Sequence, residues 1–213
     1  MKIYPTLQLF LAFFCTSVLA AEWTKIDEST LKMYGVIEQG DFEKFRSAYD
    51  KTIKKLVVRS NGGDAEETMK IAEVLLDNQL EFIEVDGWCM SSCGNYLFTA
   101  AKRKDVSMGI VGFHGATFNL AERKAGFSSE QTWLDRLAIR ELNFFKRAGV
   151  HKNIFYKSMG PSKGSTDGKT YYMLIPNAKT LFEAGILNVN GDYPLLWLDP
   201  KIWEKTPIYV ETP

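Results

Sequence analysis

An α/β fold is the class this sequence predicts, on three observations. Short β-branched or alternating runs recur along the chain, among them "KKLVVRS" (Lys54 to Ser60) and "EFIEV" (Glu81 to Val85). Between them lie runs with apolar residues at helical spacing, the clearest being "DAEETMKIAEVLLDNQ" (Asp64 to Gln79). The 213 residues are 46% hydrophobic and 24% charged, which suits one domain with a sizeable core. Lys+Arg and Asp+Glu are both 26, so no net field draws nucleic acid or anionic lipid. No basic run carries interleaved aromatics either, which argues against a nucleic-acid partner.

The start of the chain stands apart. Lys2, an apolar stretch from Leu7 to Phe14, and small residues at Val18, Ala20 and Ala21 read as a secretory signal peptide over residues 1–20. The alternative is an uncleaved anchor, for which the apolar stretch is short. Cleavage after Ala20 removes Cys15 and leaves Cys89 and Cys93 in an oxidising compartment, periplasmic or extracellular. Residues 21–213 then form a single domain. Its C-terminal tail, with Pro194, Pro200, Pro207 and Pro213, reads as irregular with one strand at most.

The elements follow in order. "LKMYGVI" (Leu31 to Ile37) reads as a strand and "GDFEKFRSAYDKTI" as a short helix capped by Asp41. "KKLVVRS" is a buried strand ending at "SNGGD". In the helix that follows, Asp64 and Glu67 have the spacing of a capping pair, and Met69, Ile71, Ala72, Leu75 and Leu76 form its apolar stripe. "EFIEV" is a strand, "NYLFTAAK" a buried helix, and "MGIVGFHG" a strand ending at His114. "SSEQTWLDRLAIRELNFFKRAGV" has helical periodicity with Gly149 as its stop, and "HKNIFYKSM" reads as a second short helix. "GPSKGSTDGK" is a loop, and Asn177 caps a last brief helix closed by Gly185.

Three junctions carry residues with chemistry. Gly62-Gly63, between a strand and a helix start, permits positive φ and leaves backbone N–H groups uncovered, suiting either an oxyanion or simply a tight turn. Ser91-Ser92, at a strand-to-helix junction, suits a helix cap or a nucleophile. His114, between Phe113 and Gly115, suits a core histidine or a general base. His151 reads as an ordinary surface residue. Taken together, the three junctions make a nucleophile, base and oxyanion set. Cys89 precedes the serine turn and Cys93 lies in the first helical turn after it, so the two are expected to come close enough to bridge. Two buried free thiols are the alternative.

In order and spacing, "VVRSNGGDAEETMKIAEVL", "GWCMSSCGNYLFTAAK" and "GIVGFHGA" resemble the Clp protease proteolytic subunit (ClpP) and its crotonase-like relatives. They are more similar still to secreted bacterial proteins related to that family. The resemblance runs from Leu31 to Gly185 and includes "AKTLFEAGI". It implies a ClpP/crotonase-like fold of repeated strand–strand–helix units. It places Gly62 and Gly63 on the family's oxyanion glycines and His114 on its general base. Counting back from the helix without a gap puts Ser92 on the nucleophile. Ser91 is the reserve, needing a one-residue shift but restoring the family's distance from Gly87. With Ser92 as nucleophile, the N–H of Cys93 completes the oxyanion hole. Where the family carries its aspartate this chain has Tyr172 and Met173, so the third member is Asp167, on a nearby loop, or is missing.

The function implied is a secreted serine hydrolase, a peptidase acting on peptide or protein substrates through a Ser-His dyad or triad. No metal or cofactor is implied, since two histidines far apart in sequence do not make a ligand set. No ATPase partner is expected, because the docking extension is not recognisable and a secreted protein meets no ATP. Self-association is implied through the helix near Trp133 to Phe145, unless its apolar face is core. The main rival is a non-catalytic binding or assembly module on the same fold. An acyl-CoA enzyme would reuse the oxyanion turn but needs a carboxylate where this chain has His114.

Overall fold

The computed structural model describes residues 20–123, 133–158, 172–194, 199 and 208–211. Glu22–Lys25 (β1) pairs antiparallel with Thr30–Tyr34 (β2). Next come Asp41–Ala48 (α1), Lys55–Ser60 (β3), Ala65–Asp77 (α2) and Phe82–Met90 (β4). A π-helix over Cys93–Phe98 leads to Arg103–Asp105 (β5), Gly109–Gly112 (β6) and Thr117–Arg123 (α3). Trp133–Ala148 (α4), Asn153–Lys157 (α5), Met173–Ile175 (β7), Ala178–Glu183 (α6), Val189–Asn190 (β8) and Ile208–Val210 (β9) complete the order.

The large sheet runs β1-β2-β3-β4-β5-β8, and beyond β1 every pairing is parallel. β4 is long enough to serve two partners. Its Phe82–Glu84 half pairs β5, and after Gly87 its second half pairs β6 from Gly109 to Gly112. Where the resemblance implies a strand–strand–helix unit, one strand with two differently paired halves precedes the π-helix. β7 and β9 make a separate parallel ribbon, tied to the strand end at Phe113 by reciprocal backbone bonds between Phe113 and Leu174 of 2.8 and 2.7 Å.

Helices cover this sheet because their apolar stripes match it. Met69, Ile71, Ala72 and Leu75 of α2 are fully buried, as the periodicity predicts, against Leu56, Val58 and Ile83 of the strands. Leu137, Ala138, Phe144 and Phe145 put the apolar face of α4 into the same core. That face is therefore occupied within the chain. Phe145 stacks on Phe155 at 4.3 Å, with Tyr96, Phe118 and Phe144 around it. Each such aromatic pair contributes about 1 kcal/mol beyond its buried area.

Several local expectations are corrected. Gly40, not Asp41, is the N-cap of α1, and it offers no side chain for the helix N–H groups. Glu67 supplies the missing acceptor, its carboxylate taking the N–H groups of Gly40 and Phe42 at 3.0 Å each. So Asp64 caps α2, accepting the N–H of Glu67 at 2.9 Å, while Glu67 caps its neighbour instead of reaching back. Asn177 caps α6 as expected, through the N–H of Thr180 at 2.9 Å. β1, β5, β7, β8 and α3 go beyond the elements the sequence predicts; they are short or lie between stronger signals. The loop from Gly160 to Lys169, with Asp167, lies outside the described residues.

Candidate active site

β4 and β6 are neighbouring parallel strands, and their C-terminal ends stop together at Met90 and Gly112. Ligand sites in parallel sheets gather at such ends. The chain then turns sharply. Ser91 donates its N–H to the Gly112 carbonyl at 3.0 Å and takes φ +59°, a left-handed conformation. That conformation costs an L-residue with a Cβ about 1–2 kcal/mol, so the surroundings must hold it. One restraint is the Asn95 N–H, which donates to the Ser91 carbonyl at 2.8 Å. A second is covalent: a disulfide joins Cys89 and Cys93 across the turn, their Cα atoms 5.2 Å apart. Both cysteines are fully buried, and the bridging alternative is the one realised.

The turn sets the Ser91 hydroxyl 2.6 Å from Nε2 of His114. The other ring nitrogen, Nδ1, lies 2.5 Å from the Gly115 carbonyl. A carbonyl can only accept, so Nδ1 carries the proton and Nε2 presents its lone pair to the Ser91 O–H. Asn95, fully buried in the π-helix, fixes the histidine backbone from both sides. Its Nδ2 donates to the His114 carbonyl at 3.2 Å and its Oδ1 accepts the His114 N–H at 3.4 Å. Burial lowers the His114 pKa below the ordinary value of 6.5, so the ring stays neutral near pH 7.

Ser92 is not at this junction with His114. Its hydroxyl donates to the Gly63 carbonyl at 2.9 Å, and it is the first helical residue after the turn. The gap-free count that selects Ser92 assumes α-helical spacing. A π-turn closes over one residue more than an α-turn. Counting back through Cys93–Phe98 therefore lands one residue late, and the hydroxyl that meets His114 is that of Ser91.

The same shift moves the backbone donors. The N–H of the residue after Ser91 is that of Ser92, which replaces Cys93 in that place. Gly62 and Gly63 pack directly on this turn, with φ +84° and +141°. A Cβ at Gly62 would lie 2.6 Å from the Met90 carbonyl oxygen, and one at Gly63 2.0 Å from that of Ile37. Only glycine fits either position. The Gly62 N–H is engaged, donating to the Ser60 hydroxyl at 3.0 Å. The N–H groups of Gly63 and Ser92 have no acceptor among the described residues, and the Ser92–Gly63 bond holds their two segments together. Asp64 follows at once as the cap of α2, so the positive end of that helix adjoins the glycine turn.

No family model matches the chain, and neither does any curated protein. Solved structures do. A ClpP1 mutant from Listeria monocytogenes superposes with a TM-score of 0.50 at 16% identity, over 78% of this chain and 93% of that one. An enoyl-CoA hydratase from Shewanella pealeana gives a TM-score of 0.42 at 11% identity, over 87% and 73% of the two chains. The chain has a ClpP-like fold. Identities this low carry the fold and nothing about residue roles.

Gly62, Gly63 and His114 thus come together with Ser91, the reserve in the sequence count, and not with the hydroxyl of Ser92, which that count selects; Asn95 and the Gly115 carbonyl join them without having been singled out. Asn95 did leave a signal, as the one amide inside the apolar run "CGNYLF". A backbone carbonyl leaves none. Asp167 lies outside the described residues, so the acceptor on Nδ1 is Gly115 alone among those described.

Proposed function

We propose that this protein is an exported serine hydrolase, a peptidase in which Ser91 is the nucleophile and His114 the general base. The observation that carries the proposal is the 2.6 Å contact between Ser91 Oγ and His114 Nε2, on a ring whose other nitrogen is held by the Gly115 carbonyl. Ser91 Oγ bonds to the substrate carbonyl carbon as its proton passes to Nε2. The N–H groups of Gly63 and Ser92 take the oxyanion that forms, each such donor lowering the barrier by about 3–4 kcal/mol. The imidazolium returns its proton to the leaving amine or alkoxide. Water, deprotonated by the same Nε2, then releases the acyl group from Ser91.

A backbone dipole at Nδ1 stabilises the imidazolium less than a carboxylate would, so slow turnover is expected. Export is supported by the signal-like start of the chain and by the closed Cys89–Cys93 bridge, which persists where thiols are oxidised. The substrate class is a peptide or protein. Homo-oligomer formation belongs to the same reading and is tested by light scattering of the purified chain. The hydrolase itself is tested by fluorophosphonate labelling of the intact protein followed by peptide mapping. Modification of Ser91 supports it. A folded protein that never labels is instead a binding module on this fold.

A further inference from the structure

The opposite end of the sheet holds a second polar feature that the hydrolase reading does not use. Lys104 of β5 is 5% exposed, yet no carboxylate lies within ion-pair distance of it among the described residues. Its Nζ donates to the Ala101 carbonyl at 2.6 Å and the Leu187 carbonyl at 3.4 Å. An ammonium has three donors, so one is left over. Desolvation brings the Lys104 pKa down to about 8, the mark of a charge that carbonyl dipoles only partly compensate.

Lys104 lines a cavity of about 490 Å³, a size ordinary for small-molecule sites. Lys102, Arg147 and His151 line it too, and no aspartate or glutamate does. Arg147 is offset by Asp77, whereas exposed Lys102 meets only the neutral side-chain amide oxygen of Gln79, at 2.9 Å, and buried Lys104 only backbone carbonyls. Thr99 and Asn188 add two neutral polar side chains, both already bonded to backbone carbonyls, and the remaining side chains of the wall are apolar. Phe182 and Leu187 are 71% and 48% exposed beside it, large side chains left in water at the rim of a hollow. Lys104 pairs with Ile83 near the start of β4, whereas Ser91 follows its end. At ~3.3 Å per residue, the strand length from Ile83 to Ser91 sets Lys104 up to roughly 26 Å from the serine.

We propose that this cavity is a binding site for a small carboxylate with an apolar body, held by Lys104 at one end and by Phe182 and Leu187 at the other. At the buried end of the cavity the one remaining Lys104 donor is matched by a single carboxylate oxygen, and inorganic phosphate is the control for the further donors of Lys102 and Arg147. The apolar rim gives the ligand's body a surface to cover. The site is separate from Ser91 and does not rest on the hydrolase reading.

Isothermal titration calorimetry with hexanoate, hexanol and inorganic phosphate tests it. Hexanoate is expected to bind at least about tenfold more tightly than either control, the scale of one charge-assisted hydrogen bond. Lys104→Met should remove that advantage. Phe182→Glu, at an exposed position that the fold does not need, should weaken hexanoate binding as well. Hexanol binding as tightly as hexanoate would reduce the site to an apolar hollow, and phosphate binding as tightly would make it a bare anion site. Either result overturns the proposal, as does wild-type hexanoate binding by both variants or no hexanoate binding at all.

Discussion

Two buried polar networks start from adjacent residues of one π-helix and end differently. Asn95 reaches His114, and the chain around it leaves the Gly63 and Ser92 N–H groups without acceptors. Tyr96, the next residue, donates its hydroxyl to Glu141 of α4, whose other oxygen accepts the Phe118 N–H at 2.9 Å. The second network is closed: the carboxylate is fully buried, and both of its oxygens are taken. It ties the π-helix, α3 and α4 together. The first is open, with a hydroxyl on a basic nitrogen and two donors waiting. A satisfied buried network holds a fold, whereas an unsatisfied one beside a nucleophile can do chemistry.

The largest test of this contrast is substitution at the open network. Ser91→Ala and His114→Ala should each lower the fluorophosphonate labelling rate by about a thousandfold or more while circular dichroism stays native. Ser92→Ala removes only the bond to Gly63 and should cost about tenfold or less. Full labelling in Ser91→Ala with none in Ser92→Ala would return the nucleophile to Ser92.

Glu141→Ala probes the closed network and should act on stability instead. It removes the buried acceptor of the Tyr96 hydroxyl and of the Phe118 N–H, at about 3 kcal/mol in all. Urea unfolding measures this, and labelling per folded molecule should stay close to wild type. A Glu141 variant with native stability and lost labelling would erase the distinction between the two networks.

The bridge lies between these cases. Replacing Cys89 and Cys93 together by serine opens a short loop and should cost about 2 kcal/mol. Because the bond spans the left-handed Ser91, labelling of the folded variant should also slow, by about tenfold, which is the cost of letting that residue relax. Unchanged labelling would mean that backbone bonds alone hold the turn.

The smallest effect is that of pH. The His114 pKa is depressed by burial, so the midpoint of labelling against pH should fall below 6.5. The same shift touches stability. The unfolded histidine binds its proton more tightly than the folded one, so this contribution is present above about pH 6.5 and is lost as pH falls through the folded value. A labelling midpoint above 6.5 would mean that a negative charge near the ring outweighs its burial.

What the sequence by itself determined is what depends on neighbours along the chain. Alternation and helical spacing set the strands and α2, the capping residues Asp64 and Asn177 set two helix starts, and Gly62-Gly63 set a turn that no larger residue could make. Those local signals set the α/β class and its main elements, and the resemblance to ClpP added the expectation of its fold and of Gly62, Gly63 and His114 as site residues. The tertiary structure alone decided which serine meets His114, because one extra residue in a π-turn rotates the hydroxyls relative to a count along an α-helix. It also decided that Glu67 caps α1, that Asn95 and the Gly115 carbonyl hold the histidine, and that Lys104 is buried without a carboxylate. Each of these depends on contacts between segments distant in sequence, or on a backbone carbonyl that every residue carries. Neither leaves a mark in the order of the side chains.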